Sequence, residues 1–288
     1  MPRPVHSVRL AAALATLVLT ASCAGGTPAP ATTTPATTPP AKPVPAPARY
    51  VALGDSTVAG PVLRPQRRQQ PAGCERSLVN FATLLASRLH ARSFEDASCS
   101  GARTSDVLHG QIGAVTRGTD LVSIGPVGAN DIGLVRAVGG CLFGDCGRAL
   151  DGLGARIPSI GPVLRRALAT IEQRAPHAGV VVIGYGEYLP PGACPDVEPI
   201  SARDAATVEG LVGRINAVLA REARRARAQF VDLSAMPGAG AHTTCAASPQ
   251  RWYAGIAPGV QDGALPYHPT RLGMAAIATY LATVLRKN

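Results

Sequence analysis

Aromatic residues are scarce in this 288-residue chain, at 4% with a single tryptophan. Nucleic-acid binding by base stacking calls for a basic stripe with aromatics interleaved. That pattern is missing, although the formal charge is +10. The arginines are scattered, and their densest group (Arg221, Arg224, Arg225 and Arg227) reads as the solvated face of a helix. No nucleic-acid partner is expected. Such a surface weakly favours anionic lipid or acidic polymer. Metal chemistry also lacks material, since there is no CxxC pair and no close pair of histidines. Neither a phosphate loop nor a dinucleotide fingerprint is present, so no cofactor is expected.

The two ends of the chain differ in kind. Arg3 and Arg9 accompany an uncharged apolar run, Leu10 to Ala21, that is too short to span a bilayer as a mature helix. The run leads into Leu19-Thr20-Ala21-Ser22-Cys23, similar to a bacterial lipobox but with the leucine four residues before the cysteine instead of three. Residues 1–23 therefore read as a lipoprotein-type signal peptide with Cys23 as the lipidation site. Ordinary cleavage nearby is the alternative. Residues 24–48 hold eight prolines, one charge (Lys42) and no aromatic residue. They cannot bury a core and should form a disordered tether. Residues 49–288 are enough for one sizeable domain.

Removing Cys23 leaves Cys74, Cys99, Cys141, Cys146, Cys194 and Cys245. An even count in an exported chain argues for disulfides. Six cysteines allow 15 connectivities, and the sequence alone does not choose. Sequential pairing is the simplest.

Strand-like and helix-like segments alternate through the domain. Tyr50–Leu53, residues 94–97, residues 120–125 (DLVSIG), residues 180–184 (VVVIG) and residues 230–233 read as strands. Helices are expected over 77–90, 158–174 and 270–286, and after Ser201, whose hydroxyl offers an N-cap with Asp204 three residues on. That last helix carries Val208, Leu211, Val212, Ile215, Val218 and Leu219 on one stripe. The alternation implies an α/β fold, a parallel sheet with helices on both faces and sites at the carboxyl ends of strands.

Four loops hold the chemistry. Gly54-Asp55-Ser56 ends the first strand and can expose a hydroxyl with its own N–H facing a developing oxyanion. Gly101, in Ser98-Cys99-Ser100-Gly101, offers a backbone N–H where a side chain would obstruct substrate. Asn130, in Gly128-Ala129-Asn130-Asp131, brings an amide, and Pro266-Tyr267-His268-Pro269 precedes the closing helix. Any one of these also makes an ordinary turn. Together, in this order, they resemble the SGNH/GDSL hydrolases, most closely the disulfide-bearing secreted esterases and lipases of actinobacteria.

The resemblance spans essentially all of 50–288. It implies a three-layer α/β/α sandwich with a central parallel sheet and three disulfides. It also implies Ser56 as nucleophile, His268 as general base, and the Ser56 N–H, the Gly101 N–H and Asn130 as oxyanion hole. The implied partner is an ester substrate, a lipid or an acylated glycan, handled by a monomer outside the cell. The chain departs from the family in three places. Leu265 stands where the family has an aspartate, so the backbone carbonyl of Leu265 or Pro266 is expected to orient His268, with Asp262 as rival. Gly125-Pro126-Val127 lengthens the approach to Gly128 and could displace Asn130, and Thr57 replaces a common leucine. Three activities follow: an exported, membrane-anchored or secreted carboxylic ester hydrolase, an acyltransferase or polysaccharide deacetylase on the same site, or an inactive ligand-binding lipoprotein.

Among other residues, His242 reads as a loop residue beside the Cys245 disulfide and Asp131 as the brace of a turn. Glu187 and Asp196 lie in a Pro/Gly-rich stretch that could border the cleft. Trp252 and Tyr253 could line a pocket or simply pack in the core.

Overall fold

A computed structural model describes residues 47–141, 146–256 and 263–286. The expected signal peptide with Cys23, most of the tether and Asp262 lie outside the described residues. Pro47 and Ala48, placed at the end of the tether by composition, already belong to the fold. Their carbonyls accept from Arg92 N and Ser93 N at 3.3 and 2.8 Å.

In chain order the domain runs through β1 (Arg49–Leu53), α1 (Ser56–Ala59), α2 (Phe81–Arg88), β2 (Ser93–Asp96) and α3 (Thr104–His109). Next come β3 (Leu121–Ile124), α4 (Ala129–Ile132), α5 (Leu134–Cys141), α6 (Cys146–Leu150) and α7 (Ile160–Arg174). It closes with β4 (Gly179–Ile183), α8 (Ala202–Arg225), β5 (Gln229–Val231) and α9 (Arg271–Arg286). Among the described residues the strands form one parallel sheet in the order β2-β1-β3-β4-β5. Tyr50–Leu53 and the whole of β3 are buried, as strands covered on both faces must be. The one polar pair between these strands, Tyr50 and Ser123, is satisfied internally by a 2.7 Å hydrogen bond between their hydroxyls.

The strand order fixes where a site can form. From β1 the chain moves outward to β2, then returns past β1 to β3 and continues to β5. Right-handed crossovers in opposite directions place their helices on opposite faces. So α2 packs with α9, while α7 packs with α3 and α8. Beyond the carboxyl ends of β1 and β3, where the direction changes, the connecting loops part and leave a crevice.

Most expected helices appear with adjusted ends. The helix expected over 77–90 begins at Phe81, because Asn80 caps it with its side chain accepting from Thr83 N at 2.8 Å. Ser201 caps α8 by accepting from Asp204 N, and its hydroxyl donates to the Asp204 carboxylate. The stripe from Val208 to Leu219 is buried. The arginine cluster is not merely a solvated face. Arg221 and Arg225, with Arg165 of α7, surround the Glu222 carboxylate, which is fully buried. Burial alone would raise its pKa, but the three guanidiniums hold it down to about 2. The disulfides are Cys74–Cys99, Cys141–Cys146 and Cys194–Cys245, the sequential pattern.

Candidate active site

β1 ends in a turn that only glycine can make. Gly54 has φ +152°, and a Cβ there would meet Val58 Cγ2 at 2.5 Å. The Gln111 carboxamide clamps it from both sides, accepting from Gly54 N at 2.7 Å and donating to Gly54 O at 2.8 Å. Asp55 then caps α1, its carboxylate accepting from Thr57 N at 2.8 Å while its own N–H donates to Pro126 O at 3.1 Å. Ser56 is therefore the first residue of a short helix, fixed at the carboxyl end of a central strand.

The His268 loop is pinned independently. Ala254 N donates to His268 O, Tyr267 N to Ala254 O and Thr270 N to Trp252 O, at 2.8 to 2.9 Å. These bonds bring the imidazole to Ser56, with Nε2 2.7 Å from Oγ. Nδ1 lies 2.8 Å from the Pro266 carbonyl. A carbonyl only accepts, so Nδ1 carries the proton and Nε2 presents its lone pair to the serine hydroxyl. Of the two expected carbonyls, that of Pro266 meets the ring, and that of Leu265 accepts from His268 N at 3.0 Å instead. Burial lowers the His268 pKa below the ordinary imidazole value, and the Pro266 bond opposes this only in part.

The other two blocks are tied to the first through a side chain that the sequence did not mark. The Tyr185 hydroxyl donates to Asp55 Oδ2 at 2.6 Å and accepts from Ala129 N at 3.0 Å. Burial pushes the Asp55 carboxyl up to about 6, against the pull of the Tyr185 hydroxyl and the Thr57 N–H. Asn130 Nδ2 donates to Ala102 O at 3.0 Å, so its amide sits against the loop that carries Gly101. Gly101 has φ +76° and open space where a Cβ would stand, so its backbone conformation, not crowding, requires glycine. Asp131 does more than brace a local turn. It accepts from both the N–H and the hydroxyl of Thr104, joining the third block to the start of α3.

A cavity of about 240 Å³ opens beside Ser56 and His268. Its walls are mainly apolar, including Leu134, Val138, Val208, Val212 and Ile256. Thr57, Tyr185 and Tyr188 line it too, whereas Glu187, Asp196, Trp252 and Tyr253 do not. Trp252 and Tyr253 are buried in the core, and His242 stacks on Trp252 at 4.4 Å. Gly101 and Asn130 border a second, larger hollow on the other side of α5.

The chain resembles several characterised proteins over most of its length. Residues 52–276 match the GDSL-like lipase/acylhydrolase family. A lipase of Streptomyces rimosus is 34% identical over 230 residues, 78% of this chain and 82% of that one. Lipase 2 of Streptomyces coelicolor is 32% identical over 260 residues, 82% and 85% of the respective chains. The crystal structure of the extracellular S. rimosus lipase superimposes with a TM-score of 0.71 at 31% identity, covering 83% of this chain and 98% of that one. Phospholipase A1 from Streptomyces albidoflavus gives 0.72 at 27% identity, covering 84% and 100%. With its parallel sheet and its Gly-Asp-Ser turn after the first strand, this chain belongs to the GDSL-like lipase/acylhydrolase family.

Proposed function

We propose that this protein is an exported serine esterase of the lipase type, acting through an acyl-serine intermediate on esters with an apolar acyl chain. One observation carries the reading: Ser56 Oγ lies 2.7 Å from a lone-pair-bearing His268 Nε2 at the edge of an apolar cavity. His268 takes the Ser56 proton as Oγ attacks the ester carbonyl. The Ser56 and Gly101 N–H groups and the Asn130 amide receive the oxyanion. His268 then gives the proton to the leaving alcohol, and water repeats the sequence to release the acid. The names of the Streptomyces relatives, two lipases and a phospholipase A1, support a lipid ester as substrate. Three disulfides support an oxidising compartment, and Cys23 supplies the anchor.

The test is a panel of nitrophenyl esters of rising chain length with fluorophosphonate labelling, on wild type and Ser56→Ala. The reading requires ester turnover and labelling in wild type, both lost in the variant. A folded wild type that neither labels nor turns over any ester would return the chain to a binding role.

A further inference from the structure

All strands of a parallel sheet start at one end, and the helices that return to it stop there. In this domain that end lies opposite Ser56, which follows the carboxyl end of β1. It collects arginines. Arg174, Arg224 and Arg286 sit in the last turns of α7, α8 and α9, while Arg92, Arg117 and Arg227 stand in the segments leading into β2, β3 and β5. All six are exposed. Hydrogen bonds join these pieces into one floor. Arg286 donates to the Arg88 carbonyl at the end of α2 at 2.6 Å, and Arg174 donates to the Val115 and Gly113 carbonyls at 2.8 and 3.3 Å. Asp120 N donates to Arg49 O and Gly179 N to Asp120 O, which ties the starts of β1, β3 and β4 together. The acids at this end are Asp120, which accepts from Arg49 N at 2.7 Å, Glu95, paired with the Arg49 guanidinium at 2.6 Å, and Glu172 near the end of α7. The arginines outweigh them and leave the floor positive.

Helix ends explain only part of this. A helix C-terminus carries about half a negative charge and favours one nearby cation. That accounts for Arg174, Arg224 and Arg286. It does not account for Arg92 and Arg117, which lie in loops, or for a further cation, Arg227, past the end of α8. These three make no ion pair among the described residues. The floor is also broad. Four strand spacings of about 4.8 Å make it roughly 20 Å across, with its arginines spread over that width instead of converging on a point. A planar array of anions matches such a surface, whereas a single small anion would touch one arginine or two. The chain enters the domain at the same floor: the carbonyls of Pro47 and Ala48 accept from Arg92 N and Ser93 N. The tether before it spans roughly 25 Å as a flexible coil and about 70 Å as polyproline II. An anchor at Cys23 would thus draw the floor, and not the cavity, toward its bilayer.

We infer that this basic floor docks on a bilayer rich in anionic lipid, and that the docked protein opens its apolar cavity away from that bilayer. Val135 and Leu265, exposed at 47% and 37% beside the cavity, then face outward, toward substrate arriving from elsewhere. Each arginine held near an anionic surface adds about fivefold to partitioning, so six are enough for docking without a specific headgroup pocket. The docking stands on the floor's charge and does not depend on the esterase reading.

The experiment measures sedimentation of the exported chain with vesicles, using Cys23→Ser so that no acyl anchor contributes. Vesicles of phosphatidylcholine with about one-third phosphatidylglycerol should bind the protein, and pure phosphatidylcholine should not. Raising salt toward 1 M, where the screening length is about 3 Å, should release it. Replacing Arg92, Arg117 and Arg227 together by Gln should weaken binding roughly a hundredfold. The same three changed to Lys should bind within about threefold of wild type, since surface charge and not guanidinium geometry is read. Thermal melting checks that both triple variants remain folded. Amide hydrogen exchange gives the orientation: anionic vesicles should protect residues 90–93, 116–118 and 224–228 and leave 134–138 and 264–267 unchanged. Equal binding to neutral and anionic vesicles, an unweakened Gln variant, or protection at the cavity rim instead of the floor would each overturn the inference. Tighter binding to polyglutamate than to vesicles at matched charge would make the occupant an acidic polymer and overturn the bilayer assignment. Loss of nitrophenyl ester turnover bears on the esterase reading alone and leaves these measurements readable.

Discussion

The Tyr185 hydroxyl stands between Asp55 and Ala129, donating to the carboxylate of one and accepting the N–H of the other at 2.6 and 3.0 Å. Both bonds are buried, and they join the loop that carries Ser56 to the loop that carries Asn130. A shift of either loop is thus transmitted to the other through one side chain.

Tyr185→Phe removes this connection and leaves a buried N–H and a buried carboxylate short of a partner. The expected loss of stability is about 1–3 kcal/mol by urea denaturation. A fall in kcat should accompany it with little change in KM, since the hydroxyl positions the reacting groups without lining up substrate itself. Unchanged stability and kcat together would remove Tyr185 from the account.

Asn130→Ala tests the third block directly. An oxyanion donor lost from a serine hydrolase costs about two to three orders of magnitude in kcat. A loss below about tenfold, with the fold intact, would mean that the amide serves only the Ala102 carbonyl it contacts.

The acid limb of kcat/KM reports the base. Only neutral imidazole can accept the serine proton, and burial disfavours the charged form, so the ring stays neutral to lower pH than an exposed histidine. The limb should therefore fall below the usual imidazole midpoint of about 6.5. Asp55→Asn, which still accepts from the Thr57 N–H, should keep the limb in place if His268 is its source. A midpoint above the usual value would contradict the assignment.

Chain-length preference should follow the cavity. Val138→Trp fills it from α5, so short acetyl esters should remain substrates while octanoyl esters decline. Each methylene denied burial forfeits about 0.8 kcal/mol, or about fourfold in kcat/KM. Equal losses for all chain lengths would mean that the acyl group lies elsewhere.

The disulfides should rank by the loops they close. Cys194–Cys245 spans 51 positions, Cys74–Cys99 spans 25 and Cys141–Cys146 only 5. Chain entropy gives about 4, 3.5 and 2 kcal/mol respectively. Paired Cys→Ser variants, compared by thermal melting, should follow that order.

Much of this was visible in the residues. Continuous apolar runs such as VVVIG announced buried parallel strands, and the stripe from Val208 to Leu219 announced the buried face of α8. Ser56 and His268 stood out because each follows or precedes a recognisable element. Tyr185 did not, since a single tyrosine at a strand end has no periodicity and its partners lie 130 and 56 positions away. Helix α5 was overlooked because Gly139 and Gly140 interrupt its apolar pattern. The arginine cluster read as a solvated face because its buried partner, Glu222, is enclosed only by the packing of α7 on α8.

The group that aims the His268 imidazole is a main-chain oxygen, that of Pro266. Acid does not neutralise it within the working range, and it brings no formal charge for salt to screen. No codon change can delete it either. What can disturb it is movement of the loop as a whole, through loss of the contacts that pin Tyr267 and Thr270 to Ala254 and Trp252. An alanine scan across this stretch would find the histidine and pass over the atom that steers it.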